Sequence, residues 1–176
     1  MRFRRARPAL ASWNLLKTIG QLIVFWGLFL FVLPPLVAEA GRRGGVPEFP
    51  SAAGGWVAVV IFSAASLLGL ASAYTMAVRG QGTPLPIDSP RTLVVSGPYA
   101  YLRNPMAAAG MLQGAAVALW HGSLAVCLYV VAGGLLWHVI VRPIEEADLV
   151  RMFDGEFVAY RDRVPLWIPR WPAPRE

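Results

Sequence analysis

The sequence predicts an all-α integral membrane protein with four transmembrane helices and a C-terminal amphipathic helix at the membrane interface. Hydrophobic residues make up 56% of the 176-residue chain and charged residues only 15%. Three long runs, 18–38, 49–78 and 104–141, carry no charge when histidine is neutral. Because a spanning helix needs about 20 apolar residues, the first two runs supply one span each. The third run is long enough for two short spans, with a turn at His121-Gly122-Ser123 between them.

The predicted elements follow from these runs and from the prolines and glycines between them. The first helix should end or kink at Pro34-Pro35, and an external loop should cover 41–51. Pro143 should end the fourth span, and the apolar spacing of the next stretch predicts a separate amphipathic helix on the membrane surface. The expected helices cover, in order, residues 14–37, 54–78, 105–120, 123–141 and 144–161.

Charge predicts the orientation of the chain. Fourteen of the sixteen basic residues fall on one side of a four-span topology, and only Arg42 and Arg43 fall on the other. We therefore expect both termini in the cytoplasm, and the excess of arginine over lysine suggests a bacterial cytoplasmic membrane. Anionic headgroups account for the net charge of +6 without nucleic acid.

One cysteine and two histidines cannot build a zinc cluster, so no metal is expected. The first apolar run is longer than the core of a signal peptide, which favours a retained span over a cleaved leader.

Two polar segments interrupt the apolar pattern, RTLVVSGPYAYLRNPM at 91–106 and RPIEE at 142–146. Asn104 is a good helix N-cap and Pro105 a good first helical residue, so the third span should begin there with free N–H groups that suit an anion. Glu146 shares the apolar face of its helix with Leu149 and Phe153, and a carboxylate placed there needs a partner. Arg142, Arg103 or a cationic ligand could provide it. The simpler interpretation is a stiff connector at 80–98 and a local Arg142–Glu146 ion pair.

These segments, in this order, resemble the isoprenylcysteine carboxyl methyltransferase family, which belongs with the phospholipid methyltransferases. The resemblance covers about 80–169 and is carried by Gly82-Thr83-Pro84, the GPY and RNP motifs, the EE pair and FVAYRDRVPLWIP. Two positions depart from the pattern: many members carry His where Asn104 stands and Tyr where Ala107 or Ala108 stands. The resemblance implies one domain over 1–176, with the first two spans in 14–78 and a cofactor-binding half in 80–169.

The resemblance also implies a site for S-adenosylmethionine on the cytoplasmic side. Arg142 would bind the carboxylate of the substrate, and Arg142 and Glu146 would be the central residues of the reaction. In physical terms, Glu146 suits the ammonium of the cofactor, Arg103 and the helix start suit its carboxylate, and Tyr99 offers a surface for adenine. The expected cofactor-binding residues are Thr92, Leu93, Val94, Tyr99, Arg103, Asn104, Pro105, Met106, Ala107 and Glu146.

The expected function is therefore methyl transfer from S-adenosylmethionine to a lipid or small apolar acceptor at the cytoplasmic membrane face. An isoprenylcysteine-like carboxylate is the first expectation for the acceptor, and a phospholipid amine or a thiol is the alternative. Two other classes remain open at this stage: an NADPH-dependent membrane reductase and a non-catalytic four-helix membrane scaffold.

Overall fold

A computed structural model describes residues 11–50, 54–82 and 90–170. The basic residues Arg2, Arg4, Arg5 and Arg7, and Thr83-Pro84 of the motif above, lie outside the described residues. The described helices are α1 (Ala11–Trp26), α2 (Leu33–Arg43), α3 (Gly54–Arg79), α4 (Pro105–His121), α5 (Leu124–Leu136) and α6 (Arg142–Arg163), with π-helical segments at Gly27–Val32 and Trp137–Val141 and a 3₁₀ turn at Gly97–Ala100.

The sequence predicted that the first helix ends or kinks at Pro34-Pro35. The helix does not end there but continues through α2 to Arg43. A proline inside an α-helix removes one hydrogen bond and clashes with the preceding turn. The π-helical segment Gly27–Val32 changes the hydrogen-bonding pattern just before the prolines. They then occupy the first turn of α2, where a missing N–H costs little. The expected loop at 41–51 accordingly begins later, after Arg43.

The same arrangement corrects the expected stop at Pro143. The π-helical segment Trp137–Val141 precedes α6, and Pro143 lies in the first turn of α6. The predicted separate helix at 144–161 is thus a continuation of the preceding span. Its regular course is interrupted instead at Asp154, whose φ of 43° and ψ of −123° are not helical.

Three helical stretches in the described chain are long and apolar enough to cross a membrane: Ser12–Arg43, Gly55–Arg79 and Leu124–Arg163. Large apolar side chains such as Ile23, Trp56 and Leu67 are more than two-thirds exposed, which fits a surface that faces lipid. The whole third stretch has 40 residues and would rise about 60 Å, twice the hydrocarbon thickness. Only its part before Arg142 is free of charge. This length and the charges of α6 favour a position of α6 beyond the hydrocarbon, which stays a prediction. With 17 residues, α4 rises about 26 Å, so its role as a fourth span stays a prediction.

Small residues allow the helices to approach closely, as is common in membrane bundles. A Cβ at Gly69 of α3 would lie 3.1 Å from the Trp26 ring and 3.4 Å from Ala109 of α4. One turn further along, Gln113 of α4 donates a hydrogen bond to the Ser66 hydroxyl of α3, 3.0 Å away. Helix α3 thus packs closely against both α1 and α4.

The connections define the two ends of the bundle. At one end, the loop after α2 pairs with the turn between α4 and α5, through a bridge of Glu48 with Ser123 and a 2.8 Å hydrogen bond from Phe49 N to Gly122 O. Gly122 adopts a left-handed conformation and ends α4, which confirms the predicted turn. The polar segment before α4 and the start of α6 lie together at the opposite end.

Candidate functional site

The first polar segment, 91–106, begins against the end of α3. Arg91 N donates a hydrogen bond to Gly80 O at 2.8 Å, and the Thr92 hydroxyl donates to the carbonyl of Arg79. A Cβ at Gly80 would lie 2.9 Å from Val94 Cγ2, so glycine permits this close approach. Thr92 and Val94 are thereby fixed on α3.

The same segment is also attached to α6 and to the chain that follows it. Leu93 packs against a buried cluster of Phe157, Tyr160 and Val164. The Tyr160 hydroxyl donates a 2.7 Å hydrogen bond to the backbone carbonyl of Tyr99. Burial raises the pKa of the Tyr160 phenol above its ordinary value, so it remains a neutral donor.

The backbone turns at Gly97–Ala100 before α4 begins. Gly97 has a φ of 61°, and a Cβ there would lie 3.1 Å from the Thr75 hydroxyl of α3, so the turn requires glycine. The ring of Tyr99 is 5% exposed, and burial raises the pKa of its phenol. Most of this ring is covered by protein, so its contact with adenine stays a prediction.

Helix α4 begins as its sequence indicates. The Oδ1 atom of Asn104 accepts a 3.0 Å hydrogen bond from Ala107 N, and Pro105 is buried at the first helical position. Arg103 N donates to Pro165 O at 3.0 Å, which ties the residue before the cap to the chain after α6. Pro105 has no N–H and Asn104 accepts from the N–H groups of Ala107 and Ala108, so the N–H of Met106 is the donor that this helix end offers to an anion.

Glu146 lies between two arginines that belong to the two polar segments. Its Oε1 atom is 3.6 Å from an Arg103 guanidinium nitrogen, and its Oε2 atom is 3.4 Å from one of Arg142. The side chains are only 15% to 24% exposed. The Nε of Arg142 also donates to His138 O at 3.2 Å, which fixes the guanidinium on the π-helical segment. Both of the protein partners expected for Glu146 are therefore present.

Glu145, which sequence reasoning passed over, has a different partner. The Asn104 Nδ2 donates to its Oε2 at 3.4 Å, so one amide caps α4 and also contacts α6. Burial, and to a lesser degree the charge of Glu146, raises the pKa of the Glu145 carboxyl to about 7. Its position next to Glu146 was the available signal, but its partner is 41 residues away in sequence.

The residues present fit a zwitterionic cofactor. The carboxylate of Glu146 suits an ammonium, and the α4 N-terminus suits a carboxylate. The Arg103 Nε is buried without a hydrogen-bond partner in the described chain, which leaves a donor for an anionic oxygen. No group of three His, Cys, Asp or Glu side chains within the described ranges lies close enough to hold a metal.

The structure thus brings Arg103, Asn104, Arg142 and Glu146 together at the start of α4, beside Pro105, Met106 and Ala107. Thr92 and Val94 lie on the α3 side of this group, and Leu93 lies on the α6 side.

The fold and the site define a small helical membrane protein with a charged site at one end of its bundle. A family model for phospholipid methyltransferases matches residues 53–156, more than half of the chain. The protein belongs to this family of membrane methyltransferases, which act on phospholipid-like substrates. Comparison with curated proteins and with solved structures gave no match.

Proposed function

We propose that this protein transfers a methyl group from S-adenosylmethionine to a lipid acceptor at the cytoplasmic face of the membrane. The main support is the position of Glu146, between Arg103 and Arg142 and next to the capped start of α4. This arrangement offers the carboxylate of Glu146, two cations and a helix N-terminus within a single small site, with Glu145 on the next residue. Membership in the phospholipid methyltransferase family supports the same reaction class.

Each charged group has a role in this proposal. Glu146 binds the ammonium of the cofactor, while Arg103 and the N-terminus of α4 bind its carboxylate. Adenine is contacted by the segment that holds Thr92, Leu93, Val94 and Tyr99. When bound, S-adenosylmethionine supplies an electrophilic methyl group on a sulfonium. The protein aligns the acceptor with that methyl group and excludes water, so no general acid or base is required for an anionic acceptor.

Arg142 orients the acceptor. Its guanidinium is 24% exposed and is fixed by His138 O and Glu146, so it can present donors to an anionic group without moving far. An isoprenylcysteine-like carboxylate would be methylated on the oxygen that Arg142 holds. The family match favours a second acceptor class, a phospholipid amine, in which Arg142 would bind the headgroup phosphate. A thiol is the third candidate.

Calorimetry on the purified protein in detergent tests the cofactor. We expect saturable binding of S-adenosylmethionine and S-adenosylhomocysteine but not of NADPH. Saturable binding of NADPH alone would instead identify a reductase, and binding of none of the three would indicate a scaffold. Incorporation of labelled methyl groups into prenylcysteine, phosphatidylethanolamine and thiol acceptors, each in lipid nanodiscs, then identifies the acceptor.

A further inference from the structure

The two adjacent glutamates of α6 have different electrostatic environments. Glu146 lies within 4 Å of two guanidinium groups, at 3.6 Å and 3.4 Å. Glu145 instead accepts a hydrogen bond from the neutral amide of Asn104, and no ion pair of Glu145 occurs within 11–50, 54–82 and 90–170. Both arginines of the site therefore pair with Glu146, and Glu145 has no cationic partner among the described residues.

An ionised carboxylate in this position is costly. A buried charge is tolerated when it is paired, and a single amide hydrogen bond replaces only part of its lost hydration. The negative charge of Glu146 on the next residue adds repulsion. Tyr99 is a further ionisable group near Glu145. The two arginines of the site, Arg103 and Arg142, are in contact with Glu146. A cationic ligand would supply the missing charge.

We propose that Glu145 is the residue with which this site distinguishes the cationic methyl donor from its neutral product. The proposal rests on the proposed function, because it takes S-adenosylmethionine as the donor. In the transfer, the bond between sulfur and the methyl carbon breaks, its electron pair stays on sulfur, and the acceptor forms a new bond to that carbon. The donor therefore loses one positive charge when it becomes S-adenosylhomocysteine.

Glu145 responds to that charge because its own charge is not matched by an arginine. The carboxylate attracts the sulfonium before transfer and has no such attraction for the thioether afterwards. Asn104 fixes the carboxylate next to the start of α4, where the proposed cofactor site lies. Glu146 cannot make this distinction as well, because two arginines already offset its charge. The site thus binds the donor and weakens its hold on the product.

Three ligands separate the charge effect from the rest of the cofactor. They are S-adenosylmethionine, S-adenosylhomocysteine and sinefungin, an unreactive analogue in which a protonated amine replaces the methylated sulfur. Glu145→Gln keeps the shape and the hydrogen bond to Asn104 but removes the charge. We expect this variant to lose about tenfold or more in affinity for the two cationic ligands and to bind S-adenosylhomocysteine within about threefold of wild type. Glu156→Gln, an exposed position on the same helix, serves as the control and should change none of the three.

A second measurement uses the unaltered protein. Calorimetry in buffers of different ionisation enthalpy should show that sinefungin binding near neutral pH releases a proton, because the cation favours ionised Glu145. Binding of S-adenosylhomocysteine should release none. An equal loss of all three ligands in Glu145→Gln, or equal proton release with both ligands, would overturn the inference while leaving the proposed function intact. A wild-type protein that binds none of the three would overturn both.

Discussion

The substitution Glu146→Gln tests the cofactor site directly, because it removes a charge and keeps the side-chain shape. The ion pairs of Glu146 span 3.6 Å and 3.4 Å, for which Coulomb's law at an effective dielectric constant of 20 gives about 4–5 kcal/mol each. That value is an upper bound, because exposed pairs contribute about 1 kcal/mol or less. The three side chains keep some contact with solvent, so we expect a total loss of stability of about 1–2 kcal/mol.

The expected effect on cofactor binding is larger than the effect on stability. A hydrogen bond between a carboxylate and a ligand ammonium contributes about 1.5–3 kcal/mol, which corresponds to a loss of about 10-fold to 150-fold in affinity. Calorimetry with S-adenosylhomocysteine measures that loss, and thermal unfolding of the same sample measures stability. Glu156→Gln provides the matched control on the same helix. If Glu146→Gln binds the ligand within about threefold of wild type, the cofactor does not contact this carboxylate and the site is misplaced.

Four further predictions address the acceptor, the packing and the dependence on pH. Arg142→Ala should raise the KM for the acceptor more than the Kd for the cofactor, and an equal change in both would contradict the assigned role. Tyr160→Phe should cost about 1–3 kcal/mol in unfolding free energy, because a buried backbone carbonyl loses its donor, and an unchanged Tm would count against that hydrogen bond. Gly41→Ala places a Cβ 2.5 Å from a Cβ of α5 and should lower the Tm. Gly20→Ala has open space around it and should raise the Tm. A higher Tm for Gly41→Ala than for Gly20→Ala would disprove the close contact. The pKa of Glu145 is raised from 4.5 to about 7 in the folded state, so its contribution to stability is lost as the pH rises through that range. The ligand-free protein should therefore have a lower Tm near pH 8 than near pH 5. In Glu145→Gln the Tm should depend less on pH.

The helices and the start of the site could be predicted from local sequence signals. The uncharged runs located the apolar helices α1, α3, α4 and α5, because membrane-length apolar stretches have few other uses. The charged helix α6 was instead found from the spacing of its apolar residues. The pair Asn104-Pro105 located the start of α4, because capping depends on residues within one turn. The same local logic gave the turn at Gly122.

The errors arose where distant or unusual backbone structure decided the outcome. Pro34-Pro35 was expected to end or kink its helix and Pro143 to end one, but neither ends a helix, because each follows a π-helical segment that places it in a first turn. No pattern of residue types in the sequence predicts these two π-helical segments. The contact of Glu145 was also hidden, because the sequence pattern drew attention to Glu146 on the apolar face and the partner of Glu145, Asn104, lies 41 residues away.

The chain beyond the family match also contacts the segment that carries the proposed site. The match ends at residue 156, yet Tyr160 donates to the carbonyl of Tyr99 and Pro165 accepts from the backbone of Arg103. These two hydrogen bonds hold both ends of the short stretch that leads into α4. A methyl transfer between well-placed groups depends mainly on position, so a loss of these contacts should reduce activity. The C-terminal segment therefore helps to position Arg103 and Asn104, and the contacts of the proposed site extend beyond the family match.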